Sequence, residues 1–220
     1  MKNKFSEPIL QIDSVVNRNF TTLNSATKTY SNRCHHLKTT IIHTTKKLEK
    51  QIKKIICTED ISDDSLLGKW NAALFHVHLK KCWLVSNGLT KYNVILTDIN
   101  ANNVNDIDII FKSTFYNQLI YDGIILDSKK AEEIIGDLIF RPTDNDRSTT
   151  AFQNQRIQDF EWWKYDFDSL KEMPIREINN RMNTTPIHIG KSKKMSDYTT
   201  SVEEMKKTVF ISNLSDHHYT

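Results

Sequence analysis

His76-Val77-His78 sets two imidazoles two residues apart, and on an extended strand side chains at that spacing share a face. With Cys82 close behind, this is the nearest approach to a transition-metal set, but no fourth ligand stands at a suitable spacing. Solvated or hydrogen-bonded histidines are the plainer reading. Asp106-Ile107-Asp108 has the form of the acidic pairs that hold divalent cations in some transferases, a spacing that also recurs by chance. Glu132 and Glu133 are adjacent on a helical pattern, so they do not face each other as an acid/base pair must. A nucleophile elbow, a phosphate-binding glycine loop and a His-Glu-x-x-His motif are all missing. The residues support no enzyme and imply no metal and no cofactor.

The chain has 220 residues, 38% hydrophobic and 26% charged, enough for one sizeable core and too apolar for a wholly disordered chain. No apolar run approaches the roughly 18–20 residues that span a bilayer, so no membrane is expected. MKNKFSEPILQIDSVVNRNF contains no continuous apolar stretch of the secretory kind. Cys34, Cys57 and Cys82 are an odd number without zinc spacing, which favours a reducing compartment over a disulfide framework. An intracellular, mostly structured protein is expected.

Charge is unevenly placed. The net +3 combines a segment Val16–Ile56 with nine basic residues and one acid (Glu49) with a segment Cys57–Asn180 holding 13 basic and 20 acidic residues. A basic segment ahead of an acidic domain can grip phosphate or an anionic membrane, or can dock on its own acidic domain as a solvated helix.

These residues need elements to position them. Val16, Phe20, Leu23, Thr27, Tyr30, Cys34, Leu37, Ile41, Thr44, Leu48, Gln51 and Ile55 follow heptad spacing, and nine of the twelve are apolar. No Gly or Pro interrupts them, so the spacing predicts a long basic helix over 16–56 within an N-terminal segment 1–57. Threonines and asparagines weaken that helix, so its seam (Leu23, Tyr30, Leu37, Ile41, Leu48) must bury itself, on a protein partner as a coiled coil or on the domain. After the connector TEDISDDS, alternation predicts strands at 75–79, 91–99 and 107–113, then a short helix at 113–120 and a strand at 122–128. KKAEEIIGDLIF (129–140) is helix-like, unless Gly136 splits it into a turn and a last strand. RPTDNDRSTT reads as loop, FEWWKYDFDSLKEM (160–173) as a helix closing a domain over 66–175, and 176–220 as a flexible polar tail.

Three strands, a short helix and a further strand is the layout of an OB-fold barrel. Such barrels bind single-stranded nucleic acid by stacking bases on aromatics while basic side chains follow the phosphates. On that plan Lys80, Lys81 and Lys112 meet phosphates, while Trp83, Tyr92 and Tyr116 stack bases. Phe111, on the alternation Ile107/Ile109/Phe111, is core.

KKCWLVSNGLTKYNVILTDIN (80–100) and DIIFKSTFYNQLIYDGIIL (108–126) resemble the telomere single-strand-binding OB domain of the protection-of-telomeres and ciliate telomere end-binding proteins. Gly88, Thr90 and Tyr92 stand in that family's turn, Asp98 ends a strand, Phe111 ends the next, and Gly123-Ile124-Ile125 opens the fourth. Leu89 is inserted, Lys91 replaces the aspartate before Tyr92, and Asp127-Ser128 stand where the family carries basic residues. The resemblance implies an α+β chain with an OB-like domain, a nuclear, non-enzymatic, single-stranded-DNA-binding and telomere-associated role, and a nucleic-acid site at Lys80, Lys81, Trp83, Thr90, Tyr92, Lys112 and Tyr116. A coiled-coil helix followed by an acidic domain of hairpin-linked strands also resembles the RWD-domain subunits of kinetochore complexes. That resemblance implies a structural assembly subunit, with the same aromatics in its core. The destination of 129–140 separates the two: a strand closing a barrel, or a continuous helix on an open sheet.

Overall fold

A computed structural model describes residues 38–59, 61, 63–188 and 197–215, the last four by backbone alone. At its centre is an open five-stranded mixed sheet. The strands are β1 (Thr39–Thr44), β2 (Trp70–Val77), β3 (Lys80–Asn87), β4 (Asn93–Leu96) and β5 (Asp137–Arg141), in the spatial order β4-β3-β2-β1-β5. β2, β3 and β4 form an antiparallel meander, whereas β1 pairs in parallel with both β2 and β5. Helices α1 (Lys46–Glu49), α2 (Ile107–Tyr121), α3 (Ser128–Ile135), α4 (Arg147–Trp163), α5 (Ile175–Thr184) and α6 (Ser201–Ser215) surround it, and β6 (Pro186–His188) pairs with β7 (Tyr198–Thr200).

Strand alternation sorts the core into two layers. Ile42, Trp70, Leu74, Trp83, Val85, Val94, Leu96 and Phe140 face one side and pack with Phe111, Phe115 and Leu119 of α2, Ile134 and Ile135 of α3 and Met205 of α6. Phe75, Val77, Cys82, Leu84 and Ile95 face the other and pack with Phe160 of α4 and Ile178 and Met182 of α5. Trp70 sits edge-on to both Phe111 and Phe115, at 5.4 and 5.5 Å between ring centroids. Aromatic pairs of this kind add about 0.5–1.5 kcal/mol each beyond area burial.

Several expectations are corrected. The domain is α+β but not an OB-like barrel: its sheet is open, and β5 joins β1 in parallel at an edge. The RWD-like layout is overturned too, because 129–140 is neither a closing strand nor one helix. Gly136 divides it into α3 and β5. The predicted strand 107–113 is the start of α2, since Ile107, Phe111, Phe115 and Leu119 repeat every four residues and bury one helical face. The run 69–86 is a hairpin whose two-residue turn, His78-Leu79, takes positive φ at both positions without the usual Gly or Asn. Residues 38–56, expected to end the long helix, form β1, α1 and a 3₁₀ turn, Lys53–Ile55. Ile41 and Leu48 are therefore buried in this domain, while Leu23, Tyr30 and Leu37, with the rest of the proposed coiled coil, lie outside the described residues. The predicted flexible tail contains α5, β6, β7 and α6, which bury Ile178, Met182, Ile187, Met205 and Val209.

Gly136 is the tightest joint. Its φ is +64°, and a Cβ there would fall inside the van der Waals shell of the Lys38 carbonyl oxygen at the entry to β1. Gly136→Ala is expected to lose more than about 3 kcal/mol in urea unfolding, because left-handed strain of roughly 1–2 kcal/mol adds to displacement of β1. Trp83→Ala should cost about 3–5 kcal/mol in the same measurement, and a fully stable variant of either kind would contradict this packing.

Candidate functional site

The predicted nucleic-acid residues do not converge on one face. Lys80 and Lys81 are exposed at the start of β3, where Lys80 Nζ pairs with Asp98 Oδ2 at 3.3 Å. Trp83 is only 2% exposed and sits edge-on to Phe140. Thr90 is buried in the turn, its hydroxyl donating to Asn87 Oδ1 at 3.0 Å. Tyr92 is fully buried, and its hydroxyl donates to Asp122 Oδ2 at 2.5 Å. Burial, chiefly, and then the Asp122 charge push the Tyr92 phenol well above its ordinary range. Asp122 also accepts from Gln118 and Asn180, so these groups form a structural knot joining α2, β4 and α5. Lys112 and Tyr116 lie half-buried on α2. A base-stacking platform cannot be built from Trp83 and Tyr92. His76 and His78 are exposed, whereas Cys82 is buried and its thiol is pushed up to about 11 by that burial. Among the described residues no three His, Cys, Asp or Glu side chains are grouped to hold a metal.

Two features do gather unengaged polar groups, both beyond the carboxyl end of β1. The first is a ridge. After β1, Leu48 and Ile52 are buried at helical spacing, which turns Lys46, Lys47, Lys50, Lys53 and Lys54 outward, all exposed. The one acid among them, Glu49, accepts the Thr143 backbone N–H through Oε2 at 3.4 Å. None of the five lysines has a carboxylate partner among the described residues.

The second is a cleft of about 510 Å³ between the carboxyl ends of β1 and β5. Thr45 and Lys46 follow β1; Thr143 and Asn145 follow β5; Arg147, Thr150, Ala151 and Asn154 come from α4. The chain leaves β1 toward the layer containing Leu48 and leaves β5 toward the layer containing Phe160. Such divergence opens a crevice at the ends of adjacent parallel strands, where open α/β sheets bind ligands.

Acids near the cleft are held by other groups. Lys69 Nζ pairs with Asp144 Oδ2 at 2.7 Å and Asp146 Oδ2 at 3.4 Å, and Asn71 donates to Asp144 Oδ1 at 3.1 Å. Asp146 caps α4 by accepting from Thr149 N and Oγ1, both at 3.0 Å. The Thr149 N–H above all holds the Asp146 carboxyl down at about 2; burial opposes it, and the Thr149 hydroxyl and Lys69 add to the lowering. Burial raises Asp144, but the Lys69 ammonium and the Asp146 N–H outweigh it and leave a net lowering. Lys91, half-buried with Nζ 3.2 Å from Thr149 Oγ1, is lowered by burial.

The model of a family described as Domain of unknown function (DUF6933) matches residues 41–204. The chain belongs to the DUF6933 family. A search of curated proteins and one of solved structures each gave no match. The family segment opens within β1 and closes within α6, so it contains both ridge and cleft. Among the described residues no helix is long and apolar enough to cross a membrane.

The ridge lysines were visible in sequence as a basic run. The cleft was not, because 141–150 reads as loop. Its available signal was Asp146 three residues ahead of Thr149, a helix-start pattern. Asp146→Ala is expected to destabilise the domain by about 0.5–2 kcal/mol as a lost cap. Because the folded pKa is depressed, that stability is fully present above the unfolded carboxylate value of roughly 3.9 and is lost as pH falls through about 2. Thermal melts of wild type and variant should therefore differ at pH 6 and converge toward pH 2; a gap independent of pH would count against the ionised cap.

Proposed function

We propose that this DUF6933 chain binds nucleic acid without catalysing a reaction on it, and that the phosphate backbone is gripped by the ridge Lys46, Lys47, Lys50, Lys53 and Lys54. The observation that carries the reading is the exposure of five lysines within nine residues, with no carboxylate partner among the described residues. Ion-paired lysines have little charge left to offer, whereas free ones exchange their counterions and those of the strand for direct contact. The ridge bends from α1 into a 3₁₀ turn, a path that a flexible single strand follows more readily than a duplex. Single-stranded DNA is therefore the preferred partner, with contact through phosphate rather than through stacking on Trp83 or Tyr92.

Deleting 1–57 removes the internal strand β1 and so cannot test this reading. Substitution can. Lys50→Gln, Lys53→Gln and Lys54→Gln together should weaken oligo-dT binding in fluorescence anisotropy and reduce its log–log salt slope by about 0.7 per lost contact, with unchanged melting. An unchanged slope and affinity would refute the ridge. Absence of any oligonucleotide binding at low salt would favour the structural-subunit alternative, for which the exposed Leu79, Trp162 and Tyr165 offer apolar surface.

A further inference from the structure

The loop after β5 contains two acids, yet neither lines the cleft beside it. Asp144 turns to Lys69 and Asn71, and Asp146 turns to Thr149 and Lys69. The charged groups left facing the cleft are Lys46 and Arg147. Thr45, Asn145 and Asn154 add polar side chains, and like the two cations they are engaged with no other described residue. Ala151 is the one apolar residue in the lining, and no aromatic ring is present.

That chemistry selects a class of ligand. A volume of about 510 Å³ falls in the range of roughly 300–1,000 Å³ typical of small-molecule sites. With no aromatic ring in its lining, the cleft has nothing on which a nucleobase could stack. Two cations without carboxylate partners match a phosphomonoester, which carries about −1.5 to −2 charges at neutral pH and three strong acceptor oxygens. The Arg147 guanidinium can take two of those oxygens side by side, and Lys46 acts as a point charge. The hydroxyl and amide groups suit the hydroxyls of an attached sugar.

We propose that the cleft between the ends of β1 and β5 is a phosphomonoester site, taking the terminal phosphate of a sugar phosphate or of a nucleic-acid strand. The site goes beyond the ridge reading and shares only Lys46 with it; Arg147 belongs to the cleft alone. The two sources share one chemistry and separate by experiment.

The test is an amide-resolved NMR titration of the full chain with ribose 5-phosphate, with ribose as control. Expected are shifts at Thr45, Thr143, Asn145 and Ala151 with the phosphate and none with ribose. Arg147→Gln, exposed and unpaired and therefore expected to melt as wild type, should weaken binding about tenfold or more, and Arg147→Lys should restore part of it. Anisotropy with 5′-phosphorylated and 5′-hydroxyl oligo-dT then assigns the source. An Arg147-dependent gain from the 5′-phosphate assigns a strand end. Equal affinities, or no oligonucleotide binding at all, with ribose 5-phosphate still bound assign a small sugar phosphate, and the latter result would remove the ridge reading while leaving this one standing. The proposal is overturned if ribose 5-phosphate leaves those amides unmoved and the 5′-phosphate adds nothing. It is equally overturned if phosphate binding survives Arg147→Gln combined with Lys46→Gln.

Discussion

Parallel pairing of β1 on both of its edges is the constraint from which the rest follows. Six residues, Thr39–Thr44, hydrogen-bond to β2 on one side and β5 on the other. Parallel partners cannot be joined by tight turns, so the chain must cross the sheet through α2 and α3 before β5 can reach its place. Side chains reinforce the arrangement. The Thr40 hydroxyl donates to the Ile135 carbonyl, the Thr44 hydroxyl to the Arg141 carbonyl at 3.0 Å, and His43 Nδ1 lies 2.9 Å from the Pro142 oxygen. With β1 locked this way, the segment that follows it and the segment that follows β5 must emerge side by side. Ridge and cleft are consequences of that emergence.

Charge is partitioned on the same frame. The domain is acidic over Cys57–Asn180, yet the carboxylates nearest the cleft are occupied. One ammonium, Lys69, serves both Asp144 and Asp146, and the start of α4 uses Asp146 as its cap. Glu49 is turned to a backbone N–H. A surface with a modest net charge in sequence thus becomes locally cationic, because its acids are spent on structure. The opposite happens at Tyr92 and Asp122, where polar groups with the right types for chemistry are consumed in holding β4 against α2 and α5.

How much of this was legible in the sequence depends on the range of the interaction that decides each element. Gly136 marks a split as the alternative for an otherwise helix-like run, and the alternation of 91–99 marks a strand, which the fold confines to Asn93–Leu96; both signals are local. Ile107/Ile109/Phe111 supported two periods at once, and only the continuation to Phe115 and Leu119 favours the helix. The β2–β3 turn was hidden because His78-Leu79 lacks the residues that ordinarily adopt positive φ. The heptad spacing through Ile41 and Leu48 predicts one helix, but β-branched Thr39–Thr44 joins the sheet instead, where pairing on both sides outweighs an isolated helical seam. Trp83 and Tyr92 looked like stacking residues because residue type does not reveal which face of a strand is covered. The lysine run was legible as charge; its lack of carboxylate partners was not. The cleft depended wholly on which strand ends meet, and no local pattern carries that.

The lysines that follow β1 are proposed above as the phosphate-gripping surface. Lysine acetylation footprinting of the intact chain, read by mass spectrometry with and without saturating oligo-dT, tests that assignment residue by residue. Lys46, Lys47, Lys50, Lys53 and Lys54 should be protected by the strand, while the equally exposed Lys129 and Lys171 should react as before. Protection centred on Lys80, Lys81 and Lys112, or no difference between ridge and control lysines, would contradict it.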